Sequence, residues 1–77
     1  MSITELGEQL KQMYNSAPDK EQSIFIHLFG IKFGEIILHN KYSVAEIVEA
    51  SGIKESYKTE VRKGVNLSKY VTLKNSN

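Results

Sequence analysis

The sequence has no cysteine, no tryptophan and a single proline. Without thiols there is no disulfide framework, no cysteine-based zinc site and no thiol nucleophile. A strong charge of one sign is missing too. Ten basic residues stand against nine acidic ones, a net of +1, which argues neither for nor against a polyanionic partner. Nor is there a long apolar run. The greasiest stretch, Ile24 to Leu38, is interrupted by His27, Lys32 and Glu35 and falls short of the roughly 20 residues that span a bilayer. The opening MSITELGEQLKQ carries acids and amides where a signal peptide needs an apolar segment. A soluble, cytoplasmic chain without a membrane partner is expected. Its 77 residues allow one domain, residues 1–77, with one modest core. A domain this small is marginally stable alone, and pairing is a common remedy.

The constellations that carry chemistry are sparse. There is no phosphate-binding glycine loop, no Ser-His-Asp order and no carboxylate pair in an evident pocket. His27 and His39 share no metal-ligand spacing. Glu35 and His39, one helical turn apart, form at most half a metal site and are more simply read as a surface pair. A chain this short also has little room for a cleft. An enzyme is not expected, and neither is a cofactor, a metal or a small-molecule ligand.

What the sequence does have is an uneven distribution of charge. Residues 1–40 hold three lysines and five acids, whereas residues 41–77 hold seven basic residues and four acids. From Lys54 onward six basic residues face two acids. Basic charge therefore gathers in the last third, where a small nucleic-acid reader would need it.

Hydrophobic spacing predicts helices. Ser2-Ile3-Thr4-Glu5 has capping-box spacing, and Ile3, Leu6, Leu10 and Met13 then recur at steps of three and four. Pro18 ends this helix, because the residue before a proline avoids the helical region. Asp19, with Gln22 three residues on, can open the next, from about Lys20 to Asn40. There Lys32, Glu35 and His39 share one narrow stripe and nearly everything else is apolar or glycine, the pattern of a central, largely buried helix. Gly30 and Gly34, one turn apart, leave a flat strip for another backbone, or simply weaken the helix. Residues 24–33 also read as a strand by their β-branched and aromatic content. Ser43-Val44-Ala45-Glu46 is a second capping box, opening a short helix with Val44, Ile47 and Val48 inward. Gly52 is suited to the positive φ that follows a helix, and Ile53 plugs the turn. A fourth helix is predicted over about 54–63, with Tyr57 and Val61 facing the core together with Ile47 and Ile53, and Gly64 as its stop. Beyond it, Val65, Leu67, Val71 and Leu73 alternate with polar residues, as in an extended tail or a short final turn starting at Ser68. Asn75 to Asn77 are expected to be loose. The fold class is all-α: a small four-helix domain with a short extended or irregular C-terminal tail.

Two short helices joined by a three- to four-residue turn containing glycine are a helix-turn-helix signature. Residues 43–64 resemble the helix-turn-helix of phage-repressor-like transcription regulators in the Ser43 cap, Glu46, Ile47 and Val48, the turn Ser51-Gly52-Ile53, and the closing Arg62-Lys63-Gly64. The wider run from IHLFGIKFGEI through ESYKTEVRKG to LSKYV resembles a group of small bacterial proteins described only as helix-turn-helix-like. Repressors usually carry a small residue where Val48 stands and an apolar one where Lys58 stands, so the second helix is expected to be rotated here.

With Tyr57 and Val61 inward, Lys54, Lys58 and Arg62 form an i, i+4, i+8 row, and Ser56, Thr59 and Lys63 lie beside it. Lysine and arginine can bond phosphates or guanine edges, and serine or threonine either. Ser43, at the start of the first motif helix, can present backbone amides to a phosphate. These seven residues are the candidate DNA contacts. The same row also reads as an ordinary solvated face, tempered by Glu55 and Glu60. Two functions follow: a regulator or accessory factor binding duplex DNA, expected to be a homodimer, or a protein–protein interaction module using the same helices without nucleic acid.

Overall fold

A computed structural model describes residues 1–74 of the chain; the expectation for Asn75 to Asn77 lies outside them. Four α-helices follow one another: α1 (Ile3–Ser16), α2 (Gln22–Asn40), α3 (Val44–Ser51) and α4 (Lys58–Leu67), with a 3₁₀ turn at Glu55–Tyr57 before the last. There is no strand among the described residues, so the segment 24–33 is helical despite its β-branched content.

The helix starts follow local chemistry. Ser2 Oγ accepts from the Glu5 N–H at 3.1 Å, and Glu5 Oε1 accepts from the Ser2 N–H at 2.8 Å, a complete capping box. The Ser43 hydroxyl accepts from the Glu46 N–H at 3.3 Å, which supplies the hydroxyl half of the second box. α1 stops one residue short of Pro18, with Ala17 in extended backbone as its C-cap. Asp19 does not open α2. Lys20 takes a positive φ of 67°, the Glu21 N–H donates to the Pro18 carbonyl, and Glu21 becomes the N-cap without a side-chain bond. The left-handed step sets Asp19 too far back to cap.

The helices pack in two pairs, α4 chiefly on α2 and α3 chiefly on α1. Glycines permit both crossings. A Cβ at Gly7 would lie 2.7 Å from the Ala50 Cβ, so α1 and α3 meet nearly backbone to backbone. A Cβ at Gly30 would lie 2.6 Å from the Val65 nitrogen and 2.7 Å from Gly64 Cα, and one at Gly34 would run into Ser68. The flat strip expected on α2 is therefore real, and α4 occupies it. Between the pairs, Leu6, Leu10, Ile26, Phe29, Phe33, Ile37, Ile47, Val48, Val61 and Val65 form one buried core. Phe29 and Phe33 pack ring to ring with centroids 5.1 Å apart. Lys32, Glu35 and His39 are exposed, as their stripe predicts.

The predicted fourth helix is displaced by one turn. Lys54 has extended backbone, with φ −60° and ψ 138°, and residues 55–57 form the 3₁₀ turn, so Lys54 and Ser56 precede α4 rather than riding on it. Tyr57 is half-buried there, edge-on to Tyr14 with centroids 5.4 Å apart, and Ile53 is likewise half-buried, so both rim the core that holds Ile47 and Val61. Gly64 does not stop the helix. It is buried at the α2 crossing against Gly30 and the His27 carbonyl, and α4 runs on to Leu67 before a turn over Ser68–Tyr70. Val65 and Leu67 are thus helical, and only the residues after Tyr70 are irregular.

Candidate nucleic-acid interface

The displaced register re-sorts the basic residues. Once helical, positions 58, 62, 66 and 69 fall on one side at i, i+4, i+8 and i+11, since the turn after Leu67 keeps helical hydrogen bonding, with the Ser68 N–H donating to Gly64 and Val71 to Leu67. Lys58, Arg62 and Asn66 of α4 and Lys69 of the turn that prolongs it therefore line one side. Arg62 and Asn66 share a shallow groove with Lys41, Tyr42 and Val44. The first residue of α3 and the left-handed C-cap of α2, Lys41 at φ 56°, thus lie against this face of α4. The opening N–H groups of a helix lack intrahelical acceptors and carry partial positive charge. Those of α3 add to the cations around them.

Of the residues expected as contacts, Lys54, Ser56, Thr59, Arg62 and Lys63 are exposed, Lys58 is half-buried, and Ser43 is half-buried with its hydroxyl occupied as the α3 cap. The structure brings Lys58 and Arg62 together, with Thr59 at the edge of the same face. It sets Lys54 and Ser56 at the elbow ahead of α4, and Lys63 on the flank toward α2. Lys41, Asn66 and Lys69 were not among the expected contacts. They join the face because α2 ends in a left-handed residue and α4 gains a turn beyond Gly64.

Acids sort to other positions. Lys58 Nζ bonds Glu55 Oε1 at 3.1 Å, and Lys63 Nζ lies 3.6 Å from Glu60 Oε2. The other Glu60 oxygen meets His27 Nε2 at 2.6 Å, tying α4 to α2. Lys41, Arg62 and Lys69 make no ion pair among the described residues. Glu46, Glu49 and Glu55 border a separate depression floored by Ala45, Val48 and Ile53. The groove beside Val44 thus carries Lys41 and Arg62, whereas Glu46 and Glu49 lie in the other depression, and Glu55, which also borders that depression, is bonded to Lys58.

The hydrogen bond from His27, assisted by the charge of Lys63 and opposed by partial burial, holds the Glu60 carboxyl below its ordinary range. A carboxylate whose folded pKa is depressed stabilises fully above its unfolded value of about 4.3 and loses that contribution as pH falls through the folded value. Thermal midpoints of Glu60→Gln should accordingly fall less steeply than the parent's between about pH 5 and pH 3. Parallel acid limbs for the two proteins would show that the bridge to His27 does not stabilise the fold.

Two helices set by a left-handed glycine turn, Gly52 at φ 80°, on a compact all-helical core define a helix-turn-helix-like domain. The chain belongs to the HTH-like domain family, which it matches over residues 2–74. No curated protein and no solved structure matches it. Among the described residues no cluster of His, Asp or Glu has the geometry to hold a metal ion, and no helix is long and apolar enough to cross a membrane.

Proposed function

We propose that this domain binds duplex DNA, with Lys58, Arg62 and Asn66 of α4 and Lys69 of the turn after it entering or lining the major groove, and acts as a transcriptional regulator or accessory factor by occupying its site. The observation that carries this reading is the segregation of charge. Arg62 and Lys41, which make no ion pair among the described residues, share a groove with Val44 at the start of α3, while Glu46 and Glu49 of α3 line a different depression. Phosphate contacts from Lys41, Lys69 and the α3 amides would fix the register, and Arg62 and Asn66 have the donors and acceptors to read base edges. Lys54 and Ser56, exposed at the elbow, and Thr59 and Lys63 along the helix extend the contact. Binding of a labelled mixed-sequence duplex, followed by anisotropy, should be detectable at about 50 mM salt and weaken linearly in log–log form as salt rises. No binding at low salt would remove the reading.

We also propose that two copies act together. One copy measures 30 × 26 × 21 Å, and a pair that set its two α4 faces about 34 Å apart would meet successive turns of a duplex groove. The glycine strip of α2 is taken by α4, and Phe29, Phe33 and Ile37 are spent in the core. What remains for pairing is the outer strip of α2, where Ile24, Leu28, Ile31 and Leu38 repeat at i, i+4, i+7 and i+14. Ile24 and Leu38 are 52% and 43% exposed. That spacing is the seam a second copy of the same helix needs. Sedimentation equilibrium at tens of micromolar should show a species near twice the 8.7 kDa chain mass; a single species at the chain mass would reject the pair and the palindromic site it implies.

The exposure of Leu67, Tyr70 and Val71 at the end of α4 favours the second reading, a protein-interaction module. Its mark would be a partner bound with little dependence on salt and no affinity for duplex.

A further inference from the structure

Tyr70 is the most exposed large hydrophobic side chain among the described residues, at 83%. It stands in the turn that prolongs α4, between Lys69 of the cationic face and a shallow concavity lined by His27, Lys63, Asn66, Leu67 and Tyr70 itself. Asn66 borders both this concavity and the groove that holds Arg62 and Lys41, so the two surfaces are continuous. We infer that Tyr70 and this concavity receive an unstacked nucleobase, making the C-terminal end of α4 a contact for single-stranded or locally opened DNA.

The inference rests on the DNA-binding reading and adds a second mode of contact to it. A phenol ring left in water exposes apolar area that stacking on a base would cover, and every base offers a π-face regardless of sequence. Leu67 supplies an apolar floor. The Asn66 amide can both donate to and accept from a base edge. Lys63 lines the concavity and Lys69 precedes Tyr70 in the chain, two cations available to the phosphates that flank a stacked base. Glu60, beside this cluster, is held by His27 at 2.6 Å and by Lys63 at 3.6 Å, so its charge is answered within the protein. An aromatic ring set among cations and an amide fits a polyanion carrying planar rings better than it fits an uncharged apolar partner.

The absence of tryptophan from the chain makes the test direct. Tyr70→Trp installs a single reporter whose emission should be quenched on titration with a twelve-residue oligodeoxythymidine, or with a duplex carrying a one-nucleotide gap, and far less with the intact duplex. Tyr70→Ala should weaken binding of the oligodeoxythymidine by roughly 5- to 150-fold, the range of one lost base stack, while Tyr70→Phe binds as the parent does. Because the side chain is exposed, each variant should keep the parent's circular dichroism. An unquenched reporter, or Tyr70→Ala binding the single strand like the parent while the intact duplex is still bound, overturns this inference and leaves the duplex reading standing. Failure to bind either form of DNA overturns both. Loss of self-association in Tyr70→Ala, with oligonucleotide affinity unchanged, would assign the concavity to a protein contact instead and overturn the inference.

Discussion

Replacing Gly30 by alanine should destabilise the domain by about 2 kcal/mol, although alanine is the better helix former by about 1 kcal/mol. The two effects oppose each other, and the geometry decides between them. The added methyl would lie 2.6 Å from the Val65 nitrogen and 2.7 Å from Gly64 Cα. Those atoms are backbone, so no rotamer change relieves the contact and α4 must move away from α2. Separation there also pulls Val61 and Val65 from Phe29 and Phe33 in the shared core. Overpacking of this kind typically costs about 1–3 kcal/mol, and in a domain of this size each kcal/mol shifts the melting point by about 4–8 °C. Thermal denaturation followed at the helical dichroism band should show a drop on the order of 10 °C. A midpoint equal to the parent's, or raised as helix propensity alone would have it, would mean that α2 and α4 do not cross at Gly30 and Gly64.

The second large effect is on DNA binding. Arg62→Ala combined with Lys69→Ala removes two cations that have no carboxylate partner among the described residues. Each phosphate contact contributes about one unit to the slope of log affinity against log salt. The double variant should lose about two units of slope and bind at least about tenfold more weakly at low salt. Lys58 behaves differently, because Glu55 already holds its ammonium at 3.1 Å. Glu55→Gln frees it and removes a like charge from the approach, so this variant should bind DNA more tightly than the parent. Lys11→Ala, exposed on α1, should leave slope and affinity unchanged. A double variant with the parent's slope would exclude α4 as the DNA-contacting face.

The parts of the fold legible in the sequence are those set by local chemistry. Ser2 and Ser43 cap as their spacing predicts, Pro18 ends α1, and Gly52 takes the left-handed step between α3 and the elbow. What misled is a residue type with two uses. Glycine after a short amphipathic run reads as a helix stop, but Gly64 is a point of close approach, and only the position of α2 distinguishes the two. That misreading ends the helix a turn early and hides Asn66 and Lys69, while the 3₁₀ turn and the extended Lys54 drop Lys54 and Ser56 from the helical row. The 3₁₀ turn at Glu55–Tyr57 has a similar origin. The Tyr57 ring packs against Tyr14, a contact that local periodicity does not encode. Lys41 joins the candidate face because α2 closes in a left-handed residue there, a role commonly given to glycine or asparagine. The bond between His27 and Glu60 links residues thirty-three positions apart, beyond the reach of any local pattern.

The central claim is that DNA meets the side of the domain formed by Lys41, the start of α3 and the Lys58–Arg62–Asn66–Lys69 face of α4 and the turn after it. Amide chemical-shift mapping of the 77-residue chain during titration with a short duplex tests it residue by residue. The largest shifts and broadening should fall on residues 41–44 and 58–70, with α1 and the depression bordered by Glu46, Glu49 and Glu55 nearly silent. Shifts concentrated on α1 or on that acidic depression, or no shifts at all at low salt, would contradict it.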